Sequence, residues 1–260
     1  MAVVSYRNGI AILQLIVFPI ILVAAIFIWK RTGWRQGSKI WRYAVTLSLI
    51  RIAGSISSLL AISNDSYNIE VAVAVCQMIG IAPLLLTFIG LLRQIDVDRR
   101  MPPRPMALLT LVTIIALILG IAGVSSSSGN DGTYHPGKLA KVAMGIFLAV
   151  FVIFILLSLW LFYELSFSMR RFQKKLFLAI ALSAPLLAVR LVYSALSDYT
   201  TLSAFALDGN TTVYLCMDVL EEIIAMGMTM ALGISAILER DFVKLTPISQ
   251  QDTEPKPMGA

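Results

Sequence analysis

The sequence predicts an all-α protein that crosses a membrane seven times, and three observations point to this fold class. First, 58% of the 260 residues are apolar, only 14% are charged and the mean hydropathy is +0.84. An ordinary soluble domain has about 25% charged residues. Second, seven apolar runs are long enough to cross a hydrocarbon core, which takes about 20 helical residues. Third, no run alternates with period 2, as the strands of a β-barrel do.

Each predicted span is one apolar run, bounded by polar or charged residues. We treat residues 1–245 as one transmembrane domain, because no loop is long enough to form another. The tail 246–260 is polar and contains proline, which predicts disorder and a place outside the bundle. In chain order, the predicted spans are 9–29, 43–63, 70–93, 106–124, 139–166, 176–197 and 213–238.

Lysine and arginine predict the orientation of the bundle, because cytosolic loops carry an excess of them. The first, third and fifth loops and the tail hold sixteen of these residues, against three on the other side. This places the N-terminus in the lumen or outside and the tail in the cytosol. The two glycosylation sequons begin at Asn64 and Asn210, and both fall in predicted lumenal loops. We expect a multi-pass protein of the endoplasmic reticulum.

The composition also narrows the set of partners and cofactors. The net charge of +6 needs no nucleic-acid partner, because its basic residues lie where anionic lipid of the inner leaflet would be. One histidine and two cysteines are too few for a His-rich or thiolate metal centre. The last predicted span has no lysine to form a retinal Schiff base. We therefore expect membrane lipid as a partner and no metal or other cofactor.

Ionisable residues inside the predicted spans are the candidate functional groups, because a charge in a bilayer is costly. Three acids occur within five residues of the seventh span: Asp218, Glu221 and Glu222. Asp218 and Glu222 are spaced i, i+4 and share a helical face. Three ionised carboxyls would repel one another in a low dielectric, so one of them would hold its proton and could act as a general acid.

A second interpretation uses the same residues. Arg190 lies at a similar depth in the sixth span, and Arg51 a little deeper in the second, so both could pair with two of the acids. Pairing alone, or pairing together with one catalytic acid, both remain open. Glu70, which begins the third span, is a further candidate acid. Other polar or aromatic groups in the outer half of the bundle could contact a ligand if they line the same cavity: Gln77, Tyr193 and Tyr214.

Several segments resemble a family of fungal seven-helix membrane proteins. These are IAILQLIVFPIILV, KRTGWRQGSKIWR, LIRIAGSISSLLA, QMIGIAPLLLTFIGLLRQ and VLEEIIAMGMTMALGI, and the likeness covers most of residues 9–238. Members with a known role are membrane-bound terpene cyclases of meroterpenoid pathways, of the ascofuranone and macrophorin type. Arg51 and Glu222 are the charged positions that best fit the family's pattern.

The resemblance implies a metal-independent, non-redox cyclase that acts on a lipophilic farnesylated substrate, alongside other enzymes of the same pathway. Such an enzyme protonates a terminal alkene or epoxide and later removes a proton, inside a dry apolar cavity. We expect Glu222 or Asp218 to donate the proton. Glu70 or Glu221 would either shift the pKa of the donor or act as the base. Arg51 and Arg190 would orient the carboxyls. The alternatives are a receptor-like sensor and a lipid or drug exporter.

Overall fold

The chain folds as a bundle of helices. The computed structural model describes residues 6–33, 37–38, 40–60, 76, 79–97, 100–126, 137–199 and 211–242, and all regular elements in these ranges are helical. The seventh helix, α7, is built of three consecutive segments: Thr211–Tyr214, a π-helical turn at Leu215–Val219, and Leu220–Ile237. The preceding six are α1 (Tyr6–Thr32), α2 (Trp41–Leu60), α3 (Ile81–Ile95), α4 (Pro103–Ser126), α5 (Lys138–Leu165) and α6 (Arg171–Tyr199).

The predicted all-α, multi-pass architecture is confirmed. Six helices in the described ranges are long and apolar enough to cross a membrane, and α3 is a shorter apolar helix of 15 residues. The start of the predicted third span, 70–75 and 77–78, and the predicted tail, 246–260, lie outside the described residues. The other six predicted spans match their helices to within a few residues.

The helix ends follow local rules. Pro103 begins α4, where a residue without an N–H group loses no hydrogen bond. Gly33 follows α1 with a φ of 106°, a left-handed conformation that glycine adopts without strain. Asp96 follows α3, and its carboxylate accepts hydrogen bonds from the backbone N–H groups of Arg100 at 2.8 Å and Met101 at 3.0 Å. These two bonds shape the turn into α4.

Helix α3 lies at the centre of the bundle. Every residue from Ile81 to Ile95 is buried except Arg93, and α3 packs against α2, α4, α5 and α6. Around it, α1 packs against α2, α4 against α5, and α7 against both α6 and α1. The outer surface is apolar instead of charged, with many large side chains half or more exposed, among them Ile20, Val23, Leu108 and Leu159. An outer surface of this kind is typical of a protein surrounded by lipid.

One end of the bundle gathers the loops that are rich in arginine and lysine. There the Arg100 guanidinium donates to Glu164 Oε1 at 3.1 Å and lies 3.4 Å from Ser168 Oγ. Nearby, Lys175 Nζ donates to Ser235 Oγ at 2.7 Å and pairs with Glu239. The α3–α4 loop and the adjoining ends of α5, α6 and α7 therefore meet on one side, as the charge pattern predicts. The compartment that this side faces stays a prediction.

The contact between α4 and α5 depends on a glycine, and this yields a stability prediction. A Cβ atom at Gly123 would lie 2.5 Å from the backbone nitrogen of Ala140, whereas a Cβ at Gly120 would meet Ala143 Cβ at an ordinary 3.7 Å. We expect Gly123→Ala to lower the free energy of unfolding by about 1–3 kcal/mol, because the two backbones must separate. Gly120→Ala should be neutral or slightly stabilising, because alanine favours a helix. Thermal unfolding in detergent compares the two, and equal melting temperatures would contradict the packing described here.

Candidate functional site

Four charged side chains from three helices meet in the bundle interior and form what we term the charge cluster. Its members are Arg51 of α2, Arg190 of α6, and Asp218 and Glu222 of α7, each no more than 4% exposed. A buried charge without a partner costs several kcal/mol, so such groups persist only when they are paired and hydrogen-bonded. The contacts within the charge cluster meet this condition.

Arg51 and Glu222 form the best-aligned pair. Arg51 Nε donates to Glu222 Oε1 at 2.7 Å, and Arg51 Nη2 donates to Glu222 Oε2. This is a bidentate ion pair, in which one guanidinium donates to both oxygens of one carboxylate, and it is the strongest geometry for such a pair. Arg190 Nη2 lies 3.4 Å from Glu222 Oε2, so the same oxygen faces both arginines.

Asp218 pairs chiefly with Arg190. Arg190 Nη1 donates to Asp218 Oδ1 and, at 3.0 Å, to the backbone carbonyl of Asp218. The second carboxylate oxygen, Asp218 Oδ2, lies 3.8 Å from Arg51 Nη2 and has no hydrogen-bond partner among the described residues. With all four groups ionised, two positive charges balance two negative charges. The charge cluster is therefore neutral as a unit, although each member is charged.

A π-helical turn lies at the charge cluster. It spans Leu215–Val219, contains Asp218 and directly precedes the segment that carries Glu222. A π turn adds a residue to one turn of helix and often occurs at functional sites. Both acids reach the same cluster, which confirms the shared face that their spacing predicted.

Gly80 provides the space in which the two guanidinium groups lie. A Cβ atom there would lie 2.5 Å from Arg51 Nη2 and 3.2 Å from Arg190 Nη2. Its φ of −55° is one that any residue adopts, so the requirement for glycine is steric. Sequence reasoning did not find this residue, because nothing in an apolar run distinguishes a glycine beside a charge from one beside a methyl group.

Glu221 is the third acid of α7, and it differs from the other two. Among the described residues, no lysine or arginine lies within ion-pair distance of it, and its buried Oε2 atom has no hydrogen-bond partner. Its side chain is half-buried, on the flank of the buried face of α7. The two arginines thus neutralise two acids and leave one over.

Two tyrosines that the sequence analysis proposed as ligand contacts, Tyr193 and Tyr214, lie on α6 and α7, which also carry members of the charge cluster. Tyr214 is close enough to the charge cluster to interact electrostatically with all four of its members. Tyr193 lies one helical turn beyond Arg190 on α6 and is 8% exposed. Four other predicted site residues lie outside the described part of the chain: Glu70, Gln77, Asn64 and Asn210.

The described ranges contain no group of three or more His, Cys, Asp or Glu residues arranged to hold a metal ion. Cys76 and Cys216 are free thiols. What the arrangement offers chemically is an acid that no described lysine or arginine contacts directly, beside a neutral set of fixed charges, inside an apolar bundle. Such groups can donate and accept protons away from water.

Comparison with known proteins identifies the family. Residues 4–239 match the family model described as a domain of unknown function, DUF7702. The chain belongs to this family. No curated protein and no solved structure matches it significantly. The matched region of the DUF7702 domain includes the whole charge cluster, Gly80 and Glu221.

The pairing of Arg51 with Glu222 can be tested by a double-mutant cycle. Arg51→Met leaves an unopposed buried acid and Glu222→Gln leaves an unopposed buried arginine, so each should cost about 3–5 kcal/mol of unfolding free energy. The double variant retains the balanced pair of Arg190 and Asp218, so its loss should be clearly smaller than the sum of the two.

The matched control for this cycle is the exposed pair of Arg100 and Glu164, whose side chains are 37% and 44% exposed. Arg100→Met and Glu164→Gln should each cost less than about 1 kcal/mol. Unfolding free energies in detergent give the values. Strict additivity of the Arg51 and Glu222 variants would show that the two side chains are not coupled.

The steric role of Gly80 gives a second prediction at this site. Gly80→Ala should lower the melting temperature, because its Cβ displaces Arg51 Nη2 from Glu222. Gly227→Ala is the control on α7, since a Cβ there has nothing within 4 Å. Thermal unfolding should also show that Gly80→Ala has little further effect once Arg51 is replaced by methionine. Equal losses in the two backgrounds would exclude this mechanism.

Proposed function

We propose that the protein is a membrane-bound terpene cyclase that converts a farnesylated meroterpenoid precursor into a ring-closed isomer. The observation that carries the proposal is the presence of one unpaired acid, Glu221, beside a neutral, fully buried charge cluster. The resemblance to fungal meroterpenoid cyclases supports the substrate class. A farnesyl chain on a phenolic or epoxyquinone head partitions into the bilayer, so it can approach a site within the helices.

The reaction is an isomerisation in which all atoms are conserved. A carboxyl group transfers its proton to the terminal alkene carbon, whose π bond breaks, or to the epoxide oxygen, whose C–O bond breaks. Either step leaves a cationic carbon. The π electrons of the next double bond then form a C–C bond to the cationic carbon, and the positive charge moves along the chain. A carboxylate finally removes a proton next to the last cationic carbon, which becomes an alkene. One group must therefore hold a proton at the start, and another must be a free base at the end.

The contacts change which acid we propose as the donor. Glu222 has both oxygens bonded to Arg51, and Asp218 is bonded to Arg190. A proton on either acid would leave the buried cluster with an excess positive charge. A proton on Glu221 leaves the cluster balanced, and its half-buried side chain lies one helical turn from Ile224, which is exposed on the outer surface of the bundle. We therefore assign the donor to Glu221 instead of Glu222 or Asp218.

The remaining groups have supporting roles in this proposal. Asp218 Oδ2, which has no hydrogen-bond partner among the described residues, is the base. Glu221 is ionised by then, so its negative charge offsets the positive charge that protonation of Asp218 leaves in the cluster, and return of the proton to Glu221 restores the starting state. Arg51 and Arg190 hold the carboxylates in place, and the aromatic ring of Tyr214 stabilises the passing cation. Gln77, Tyr193 and Glu70 are proposed as further contacts to the substrate or its head group.

The cellular setting belongs to the same proposal. We place the N-terminus in the lumen and the tail in the cytosol of the endoplasmic reticulum, where microsomal prenylating and oxidising enzymes could supply the substrate. A receptor-like sensor is less well supported, because only the short loop 166–170 joins α5 to α6. Ser168 in this loop and Glu164 just before it already contact Arg100, which leaves little of the loop for a partner protein. A lipid or drug exporter is less well supported, because the buried acids within the described helices, Asp198, Asp218 and Glu222, gather in one half of the bundle.

The test is cyclisation by microsomes that contain the full chain, with farnesylated phenol and epoxide substrates. Glu221→Gln should reduce the cyclised product by about 10²–10⁴-fold, the usual contribution of a general acid. Glu164→Gln, an exposed acid at the opposite end of the bundle, is the matched control and should keep full activity. Equal protein levels and melting temperatures for the two variants separate chemistry from folding.

Each outcome decides between specific alternatives. If Glu222→Gln or Asp218→Asn abolishes turnover at unchanged stability while Glu221→Gln does not, the donor lies within the charge cluster. If the wild-type protein forms no cyclised product from any of these substrates, the enzyme proposal fails, and transport or sensing must be tested instead.

A further inference from the structure

A second polar feature lies at the far end of α3 from the charge cluster. It is a cavity of about 80 Å³ lined by Arg42, Tyr43, Leu86, Ile89, Gly90, Arg93, Met106 and Thr110. We term it the cationic cleft. Arg93 lies thirteen positions after Gly80, or about 20 Å along the helix at 1.5 Å per residue. The cationic cleft is therefore distinct from the site described above, at the end of the bundle where the arginine-rich loops meet.

The cationic cleft exists because α3 lies between two helices that barely touch each other. Both α2 and α4 pack against α3, whereas no substantial contact joins α2 to α4 in the described ranges. One face of α3, which includes Leu86, Ile89 and Arg93, forms the floor. Gly90 brings this floor close to α2, since a Cβ there would lie 3.0 Å from the backbone of Ile40. The cavity is several times the roughly 10–15 Å³ that one water needs.

Among the described residues that line it, the cationic cleft carries two positive charges and no negative one. Arg93 is the only residue of α3 that is not buried, and the described part of the chain provides no acid to pair with it. Arg42 is exposed, with its guanidinium 5.2 Å from the centre of the Tyr43 ring. None of the eight lining residues is acidic. This contrasts with the charge cluster, where every arginine faces a carboxylate.

We propose that the cationic cleft binds the phosphate of an anionic membrane phospholipid. Arg42 and Arg93 bind the phosphate, since guanidinium groups match its geometry. The Tyr43 hydroxyl lies at the same rim, and the buried side chains of Leu86, Ile89 and Met106 form the apolar floor beneath the phosphate. Basic pockets between transmembrane helices bind anionic head groups in this way.

The chemistry of the walls favours a lipid over a soluble phosphate compound. A soluble anion would contact only the two arginines and the tyrosine hydroxyl, whereas a phospholipid also has acyl chains that can lie on the apolar outer surface next to the opening. On α2, Leu49 lies seven residues after Arg42 and so on the same face of the helix; it is apolar and exposed, and it continues the surface along which a chain would lie. This proposal does not depend on the proposed cyclase activity.

The experiment uses the full-length protein in mixed detergent–lipid micelles, with bound lipid counted by native mass spectrometry. Phosphatidic acid and phosphatidylcholine are the two lipid probes. Arg42→Gln and Arg93→Gln should each weaken phosphatidic acid binding by about fivefold. Arg104→Gln is the matched control, because Arg104 is an exposed arginine in the first turn of α4 that does not line the cationic cleft. It should leave the binding unchanged.

A separate arm distinguishes the source of the phosphate. Thermal unfolding is followed with inorganic phosphate or with phosphatidic acid, and only the lipid should raise the melting temperature in a manner that depends on Arg42 and Arg93. Equal stabilisation by inorganic phosphate would overturn the lipid assignment. Equal losses in Arg42→Gln, Arg93→Gln and Arg104→Gln would show diffuse surface attraction and overturn the site, as would equal binding of the two lipids. Arg42 is exposed, so its variant remains informative if Arg93→Gln fails to fold.

Discussion

The cost of placing a charge inside a bilayer is the constraint on which this structure depends. Arg51 and Arg190 are almost completely buried, and each would destabilise the protein if it stood alone. Asp218 and Glu222 of α7 offset that cost, but only when the three helices α2, α6 and α7 place these side chains at the same depth in the bundle and each helix is rotated so that they face one another. The charge cluster therefore acts as a register for the bundle, since a slip of one helical turn would separate the opposite charges.

Helix α3 connects the two polar regions of the molecule. Its N-terminal end begins after Gly80, where the absence of a side chain makes room for two guanidinium groups. Its other end carries Arg93, which faces the cationic cleft. Between them every residue is buried, and all are apolar except Thr87, whose hydroxyl donates to the backbone carbonyl of Pro83. The central helix therefore holds the charge cluster and the cationic cleft at fixed positions, about 20 Å apart.

The two regions differ in their charge balance, and this difference is the basis of their proposed roles. In the charge cluster, arginines and carboxylates neutralise one another, so the cluster exerts little net electric field on the protonated Glu221 carboxyl next to it. In the cationic cleft, the arginines keep their charge and attract an anion from outside. Burial explains the distinction, because an unbalanced charge is tolerated near the head groups and is costly near the middle of the bundle.

Hydropathy and charge are local properties of the chain, so they were enough to predict the fold class, the approximate spans and the end of the bundle where the basic loops gather. It also singled out Arg51, Arg190, Asp218 and Glu222, since charges in apolar runs are rare. Which acid faces which arginine follows only from helix packing, since Arg51 and Glu222 are 171 residues apart. The same packing leaves Glu221 without an ion pair among the described residues, places Gly80 beside both guanidiniums, and separates α2 from α4 to form a cleft. Each of these depends on the rotation and spacing of helices against one another, which no local pattern specifies.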